Sequence, residues 1–440
     1  LGIHVNAAHA FPADGAGGEG FDNAAETLFI SPMYAEKYLD AARTALGHAL
    51  MDPDTRKQII VAEPNENHTP GEAAREVLSE FLPRAFRRPI KESEIEEYAR
   101  LFDTAFHQED SYSAAIQLPL QAAMVSPKFL FLIEQSSESN SDVLISQYEL
   151  ASRLSYFLWA SMPDSELMRL ADQGKLHDES VLRDQVRRML RSDVDRRGLR
   201  RGAKVRSFAT SFIEQWLGTR ALGREFKPDP IFARSYDSEL EGGMKYEPIY
   251  FLEDLLADNR SLLNLIDSDF TYVNRRLARH YRVRGEFREQ PKKVQLPEDS
   301  HRGGLLGMSA VLAVSSFPHR TSPVLRGKWI LETMLGTPPP PPPPNVPELD
   351  ESTDAAQPSS LRQRLELHRT DPTCASCHSL MDPLGFGLEN YDVLGRWRTV
   401  EDGVPIDSTG VLPGGATFEG PEELKEMLME RKEQFLSLIH

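Results

Sequence analysis

The chain has 440 residues, which at roughly 100 to 200 residues per domain allows about two to four domains and excludes a single small module. Its 50 Lys and Arg stand against 67 Asp and Glu, a net charge of −17, the opposite balance to that of a dedicated nucleic-acid binder. Apolar residues make up 40 % and charged residues 27 %, so the chain can bury real cores and is not a disordered acidic tail.

Residues 1–68 form a first segment of loop and helix. Its Gly/Asp-rich stretch FPADGAGGEGFDNAAETL contains Gly15 to Gly20, which formally fits G-x-G-x-x-G. HAFPAD precedes it where a dinucleotide site needs a strand, so a turn is the better reading. Asp14 and Asp22 flank this loop without the spacing of an EF-hand. Ser31 and Pro32 then have the chemistry of a helix N-cap and first turn, followed by Tyr34, Tyr38, Ala42, Ala45 and Ala49 at helical spacing.

A small helical domain is predicted over 69–135. Thr69-Pro70 starts a helix with Ala74, Leu78 and Leu82 on one side, which Pro83 is expected to end or kink. Another follows Pro89, with Ile95, Tyr98, Phe102 and Phe106 on one face. The run Ala115 to Val125 is interrupted by Pro119 and stopped by Ser126-Pro127. The polar stretch 136–142, SSESNSD, reads as a linker.

A larger helical domain is predicted over 143–300. Ser146 and Glu149 form a capping box before Leu150, Leu154 and Leu158, and Phe208, Phe212 and Trp216 again step by four. The Arg-rich run at 183–206 reads as a solvated helix and loop in so acidic a chain. Residues 301–347 comprise a buried helix, Gly303 to Ser316, whose small residues admit a close neighbour. A polar turn, His319 to Pro323, follows with capping chemistry, and then seven prolines, Pro338 to Pro344. The prolines should form an extended, stiff spacer and mark a boundary. The final domain, 348–440, holds both cysteines, a short β patch GVPIDSTGVLPGGATF and a helix beginning near Pro421. The closing EQFLSLIH has no helix stop, so the natural polypeptide is expected to continue past His440. The weakly polar run Gly303 to Phe317 is too short for a bilayer span. The opening LGIHVNAAHAF shows no export signal.

Cys374-Ala375-Ser376-Cys377-His378 is C-x-x-C-H, the attachment sequence of a c-type haem. Thiols three positions apart lie on one helical turn, where each can bond a vinyl-derived carbon of one porphyrin, and the adjacent imidazole can ligate iron. Chance placement of this pattern in the composition of the chain is on the order of one in ten thousand. A disulfide, a thioredoxin-like pair and half of a zinc site are the alternatives. Zinc would need histidines or carboxylates to complete its set, and the redox pair would need a βαβ pattern, which is absent. After His378, DPLGFGLENYDVLGRWR supplies a Pro-Leu step, with Pro383 the candidate whose backbone carbonyl fixes the free ring nitrogen of His378. Met427 is the candidate distal ligand, with Met429 beside it and Met308, His319 and His440 as alternatives; an open distal position also fits. Arg396, Trp397 and Arg398 suit either haem contacts or ordinary surface pairing.

Several stretches together resemble the multidomain Planctomycete proteins of unknown function that carry a planctomycete-type cytochrome c module. They are GEGFDNAAETL, FLPRAFRRP with SPKFLFLIE, ELASRLSYFLWASMPDSEL with DFTYVNRRLARHY, RTSPVLRGKWILETMLGTPPPPPPPNVP, and CASCHSLMDPLGFGLENYDVLGRWR. The resemblance implies an exported bacterial protein and no established reaction.

The expected architecture is therefore mainly α: a multi-helical body, a polyproline spacer and a small cytochrome-c-like domain with a short β patch. The expected function is periplasmic electron transfer through one covalent haem c, as a relay or as the redox subunit of a larger oxidoreductase with a protein redox partner. No nucleic-acid partner and no membrane span are expected. The competing readings are a non-redox scaffold of the cell envelope with a vestigial cytochrome module, and a haem enzyme with an open distal site.

Overall fold

Side-chain caps start the helices at several of the places where the sequence puts them. The computed structural model describes residues 31–108, 111–134, 144–191, 203–232, 234–340, 361–369, 372–401, 403–413 and 415–439, with positions 1, 3, 5, 11, 21, 193, 194, 200 and 201 besides. The Gly-rich loop at 15–20, Asp14, Asp22, the linker 136–142, Pro341 to Pro344 and His440 lie outside these residues. What is described is mainly helical, with small two-stranded sheets, and divides into two units, Leu1–Met189 and Leu190–His440.

The first unit holds α1 (Pro32–Met51), α2 (Pro53–Ile59), α3 (Pro70–Phe86), α4 (Glu92–Phe106), α5 (Tyr112–Ala115), α6 (Gln117–Val125), α7 (Pro127–Leu130), α8 (Gln147–Trp159), α9 (Ser165–Asp172) and α10 (Glu179–Leu190). Ser31 Oγ accepts from the amide of Tyr34 at 3.3 Å, and Thr69 and Glu72 form a full capping box. Ser146 and Glu149 form another at the start of α8. Leu46, Leu78, Leu82, Phe102, Ile116 and Leu120 form the centre of the core shared by α1, α3, α4 and α6.

Two proline expectations change. α3 runs a further turn beyond Pro83, whose carbonyl accepts the amide of Arg88 at 3.2 Å where the chain turns left-handed at Arg87. The buried Arg87 side chain then bonds the carbonyls of Lys128 (2.8 Å), Phe129 (3.0 Å) and Phe131 (2.8 Å), satisfying the C-terminal end of α7. The break near Pro119 falls earlier, at Ile116, and Pro119 sits in the first turn of α6, where its missing N–H costs nothing. α10 is tied back by Arg188, which pairs with the α9 cap Asp164 at 2.7 Å, and by the indole of Trp159, which donates to the Met189 carbonyl. Arg183 and Arg187 of the Arg-rich run pair with Glu179 and Asp184 on the same helix, as a solvated face should.

The second unit opens with the hairpin β1 (Asp193–Val194) and β2 (Arg200–Arg201). It continues through α11 (Ala203–Trp216), α12 (Ser238–Ala257), β3 (Phe270–Val273), α13 (Arg275–His280), β4 (Lys292–Gln295), α14 (Ser309–Val314) and α15 (Pro323–Trp329). Then come α16 (Leu361–His368), α17 (Pro372–Phe386), β5 (Val400–Glu401), β6 (Val404–Pro405), β7 (Thr409–Val411), β8 (Thr417–Glu419), α18 (Gly420–Glu430) and α19 (Lys432–Ile439). Phe208, Phe212 and Trp216 stack along α11, and Trp216 meets Phe435 of α19. The β patch forms two antiparallel hairpins, β5 with β6 and β7 with β8, the latter in register Thr409 to Glu419. A further hairpin pairs Phe270 of β3 with Gln295 of β4.

Divided by its internal contacts, the chain separates after Met189, inside the segment predicted as one larger helical domain. α8 to α10 belong with the first unit, whereas α11 and α12 share a core with much of what is described after residue 301, and α13 packs with Ala310, Ala313 and Val393. Ile249, Phe251 and Leu252 pack in one cluster with Leu305, Leu306 and Val311 from before the prolines and Leu384, Leu388 and Tyr391 from after them. Among the described residues, those before and after the prolines thus contribute to one core.

α12 buries three carboxylates, Glu247, Glu253 and Asp254. Glu253 pairs with Arg206 at 3.0 Å and Asp254 with Lys293 at 2.6 Å. Among the described residues Glu247 bonds only hydroxyls, Thr271 at 2.7 Å and Tyr281 at 2.6 Å, and burial pushes its carboxyl up to about 7. The folded state therefore holds this proton more tightly than the unfolded chain, a contribution present below the ordinary Glu range and lost as pH rises through about 7. Glu247→Gln removes that dependence. Its stability relative to the parent chain is expected to rise by about 3 kcal/mol between pH 4.5 and pH 8. Urea unfolding of both proteins across this range checks it; parallel profiles would contradict the assignment.

Candidate functional site

The C-x-x-C-H residues lie in the first half of α17, on an accessible turn. Cys374, Cys377 and His378 are half-buried, whereas every residue from Met381 to Tyr391 is buried. Both cysteines are free thiols, and Cys377 packs against the main apolar cluster of the unit. Helical spacing places two unpaired sulfurs on one turn with the imidazole immediately after them.

The imidazole is held by a residue of the same helix. His378 Nδ1 donates to Asp382 Oδ1 at 2.9 Å, one turn on, and the Asp382 side chain is fully buried. Asp382 Oδ2 has no hydrogen bond among the described residues and faces Arg369 Nε at 3.8 Å. A carboxylate accepting at Nδ1 fixes the tautomer with the proton there and the acceptor lone pair at Nε2. Pro383 does not take this role. The chain stays helical through Pro383, so its carbonyl points along the axis and accepts from Gly387 at 3.4 Å.

Two glycines seat α17 against α15. A Cβ on Gly327 would stand 1.8 Å from the Met381 carbonyl oxygen, and one on Gly385 would stand 1.8 Å from that of Pro323. Only hydrogen fits between these backbones. Ser322 caps α15 by accepting from Leu325, and the neighbouring Thr321 donates to Glu389 at 2.7 Å. Arg326, wholly buried, fans across the segment after α17: Nη1 bonds the carbonyls of Leu388 (2.6 Å) and Tyr391 (2.9 Å) and Glu389 Oε1 (3.2 Å). Its Nη2 bonds the Asp392 carbonyl (3.0 Å). Arg398 joins Glu389 from the other side at 3.4 Å. Gly395 closes against Ser309 of α14, the close approach expected of that small-residue helix.

The other candidate residues are dispersed. Met427 and Met429 lie on α18, half-buried against the cluster that also receives Cys377; Met308 is buried within it. His319 stacks near Phe317 on the turn before α15. Arg398 pairs with Glu389 and Glu401, and Arg396 and Trp397 line a cleft whose walls include neither cysteine nor His378. Among the described residues, no three His, Cys, Asp or Glu side chains converge on a metal position. Also among them, no helix is long and apolar enough to cross a membrane.

Four family profiles match the chain. They are PSD3 (DUF1587) over residues 1–51, PSD5 (DUF1595) over 73–134, PSD4 (DUF1592) over 145–283 and PSCyt3 (DUF1588) over 302–401, each described as a protein of unknown function. The chain is thus similar, in four successive segments, to planctomycete-type domains of unknown function, and the match at 302–401 hints at a cytochrome-c-like module. That domain contains α15, Cys374, Cys377, His378 and Asp382 and ends before Met427. It spans the prolines, as the shared core does. No curated protein and no solved structure is significantly similar to the chain.

The donor set fits a haem held from one side: two free thiols on a single turn, then an imidazole whose second nitrogen is fixed by a buried carboxylate with one oxygen lacking a hydrogen bond among the described residues. Sequence reading missed Asp382 and Arg326. His at one position and Asp four later on a helix was the signal for the first. For Arg326 there was none, because its partners are backbone carbonyls more than sixty residues away.

Proposed function

We propose that the chain is a c-type cytochrome-like electron carrier of the bacterial cell envelope, with one haem c bonded to Cys374 and Cys377 and ligated through His378 Nε2. The observation that carries this reading is the pairing of two free, accessible thiols on one turn of α17 with an imidazole oriented by Asp382. Each thiol would add across a vinyl double bond, sulfur to one carbon and its hydrogen to the other, with no net oxidation. The haem supplies one-electron redox chemistry. His378 would ligate its iron, Asp382 holds the His378 ring, and the buried half of α17 anchors the turn. Met427 would be the candidate second protein ligand, and a redox partner protein is implied. The cytochrome-like type of the 302–401 domain supports the same reading.

Spectroelectrochemical titration of the chain, matured in a periplasm equipped for cytochrome c assembly, tests the role. A reversible one-electron transition and no spectral response to carbon monoxide are expected of a carrier with both axial positions filled. Stoichiometric binding of carbon monoxide would transfer the assignment to a haem enzyme with an open site.

A further inference from the structure

The second unit has a cleft of about 480 Å³ between α13 with its following turn, residues 297–302, and the Arg396-Trp397 step. Five arginines line it, Arg276, Arg279, Arg282, Arg302 and Arg396, against one carboxylate, Asp299. In a chain of net charge −17 this is a local reversal of sign.

Two of the five are committed elsewhere. Arg276 pairs with Asp237 at 2.7 Å and bonds the Ser235 carbonyl. Arg302 is buried, lies 3.6 Å over the Tyr281 ring, and bonds the carbonyls of Gly307 and Gly395. Arg279, Arg282 and Arg396 have no carboxylate partner among the described residues. Arg396 is instead positioned by a neutral group: its Nε points to His280 Nδ1 at 3.4 Å, while His280 Nε2 donates to the Leu394 carbonyl at 2.7 Å. Burial pushes His280 down to about 3, so it remains an uncharged acceptor. His301 is occupied, stacked on Trp397 at 3.8 Å and paired with Glu422.

Three guanidiniums without a carboxylate among the described residues, gathered around a concave space and one of them, Arg396, positioned by the buried His280, form a receptor for negative charge. Guanidinium forks match carboxylate and phosphate oxygens, and the volume suits a small molecule. We propose that this cleft binds a small polyvalent oxyanion bearing phosphate or carboxylate groups, held by Arg279, Arg282 and Arg396. The site is separate from the haem-attachment turn and stands whether or not haem binds.

Calorimetric titration of the full chain with pyrophosphate and with citrate, in buffer of fixed ionic strength set by sodium chloride, tests this. Saturable one-to-one binding of at least one is expected, and which of the two binds more tightly separates a phosphate from a carboxylate ligand. Arg279→Gln with Arg282→Gln should weaken it at least tenfold while leaving the melting temperature unchanged. Arg183→Gln with Arg187→Gln, an exposed pair on α10, should leave affinity unaltered. Saturable binding of neither anion, or equal weakening by both pairs of substitutions, would overturn the proposal.

Discussion

Replacing Arg326 by leucine is expected to destabilise the second unit by about 3 to 5 kcal/mol, enough to unfold it or nearly so. The side chain is fully buried and supplies hydrogen bonds to the carbonyls of Leu388, Tyr391 and Asp392 as well as to Glu389. Its loss leaves Glu389 with Thr321 and Arg398 but leaves three carbonyls without this donor, each costing about 1 to 3 kcal/mol where no other donor replaces it. The double variant Arg326→Leu with Glu389→Leu separates the two contributions. If the ion pair dominated, removing both charges would restore stability. The carbonyl clamp predicts that it does not. Three of the four tryptophans, Trp216, Trp329 and Trp397, lie in this unit, so urea unfolding followed by fluorescence reads it directly.

The second large effect concerns Asp382. Asp382→Asn keeps an oxygen that can accept from His378 Nδ1 but removes the charge that, under the proposed ligation, would make the imidazole a stronger donor to ferric iron. Outer-shell changes of this kind typically alter metal affinity about 10- to 100-fold, and a preferential loss from the ferric state raises the midpoint potential by about 60 to 120 mV. Asp382→Ala should in addition lower the yield of correctly ligated haem, because the ring loses its orientation. A purely structural role for Asp382 would leave the potential of the asparagine variant at the parent value. Potentiometric titration of the matured proteins decides between them.

Local chemistry made much of this architecture readable. Ser31, Thr69, Ser146 and Ser322 cap helices because each needs only the backbone a turn ahead of it. Phe208, Phe212 and Trp216 stack because period alone puts them on one face. C-x-x-C-H and its helical setting were readable for the same reason. What could not be read was long-range. Seven prolines look like a boundary, yet Gly327 and Gly385 allow α15 and α17 to meet backbone to backbone across them, and Arg326 fastens the join. Pro383 was expected to turn its carbonyl toward His378, but the helix continues through it and the role passes to Asp382, a residue whose partner was visible only once the helix was known to be unbroken. The cleft around Arg279 and Arg396 joins positions more than a hundred residues apart, which no spacing rule connects.

The most direct measurement is the intact mass, with a pyridine haemochrome spectrum, of the denatured chain after expression with cytochrome c maturation. The parent chain is expected to carry one covalent haem, lost when Cys374→Ala and Cys377→Ala are combined. A polypeptide mass without haem, from cells that mature a control cytochrome, would contradict the central claim.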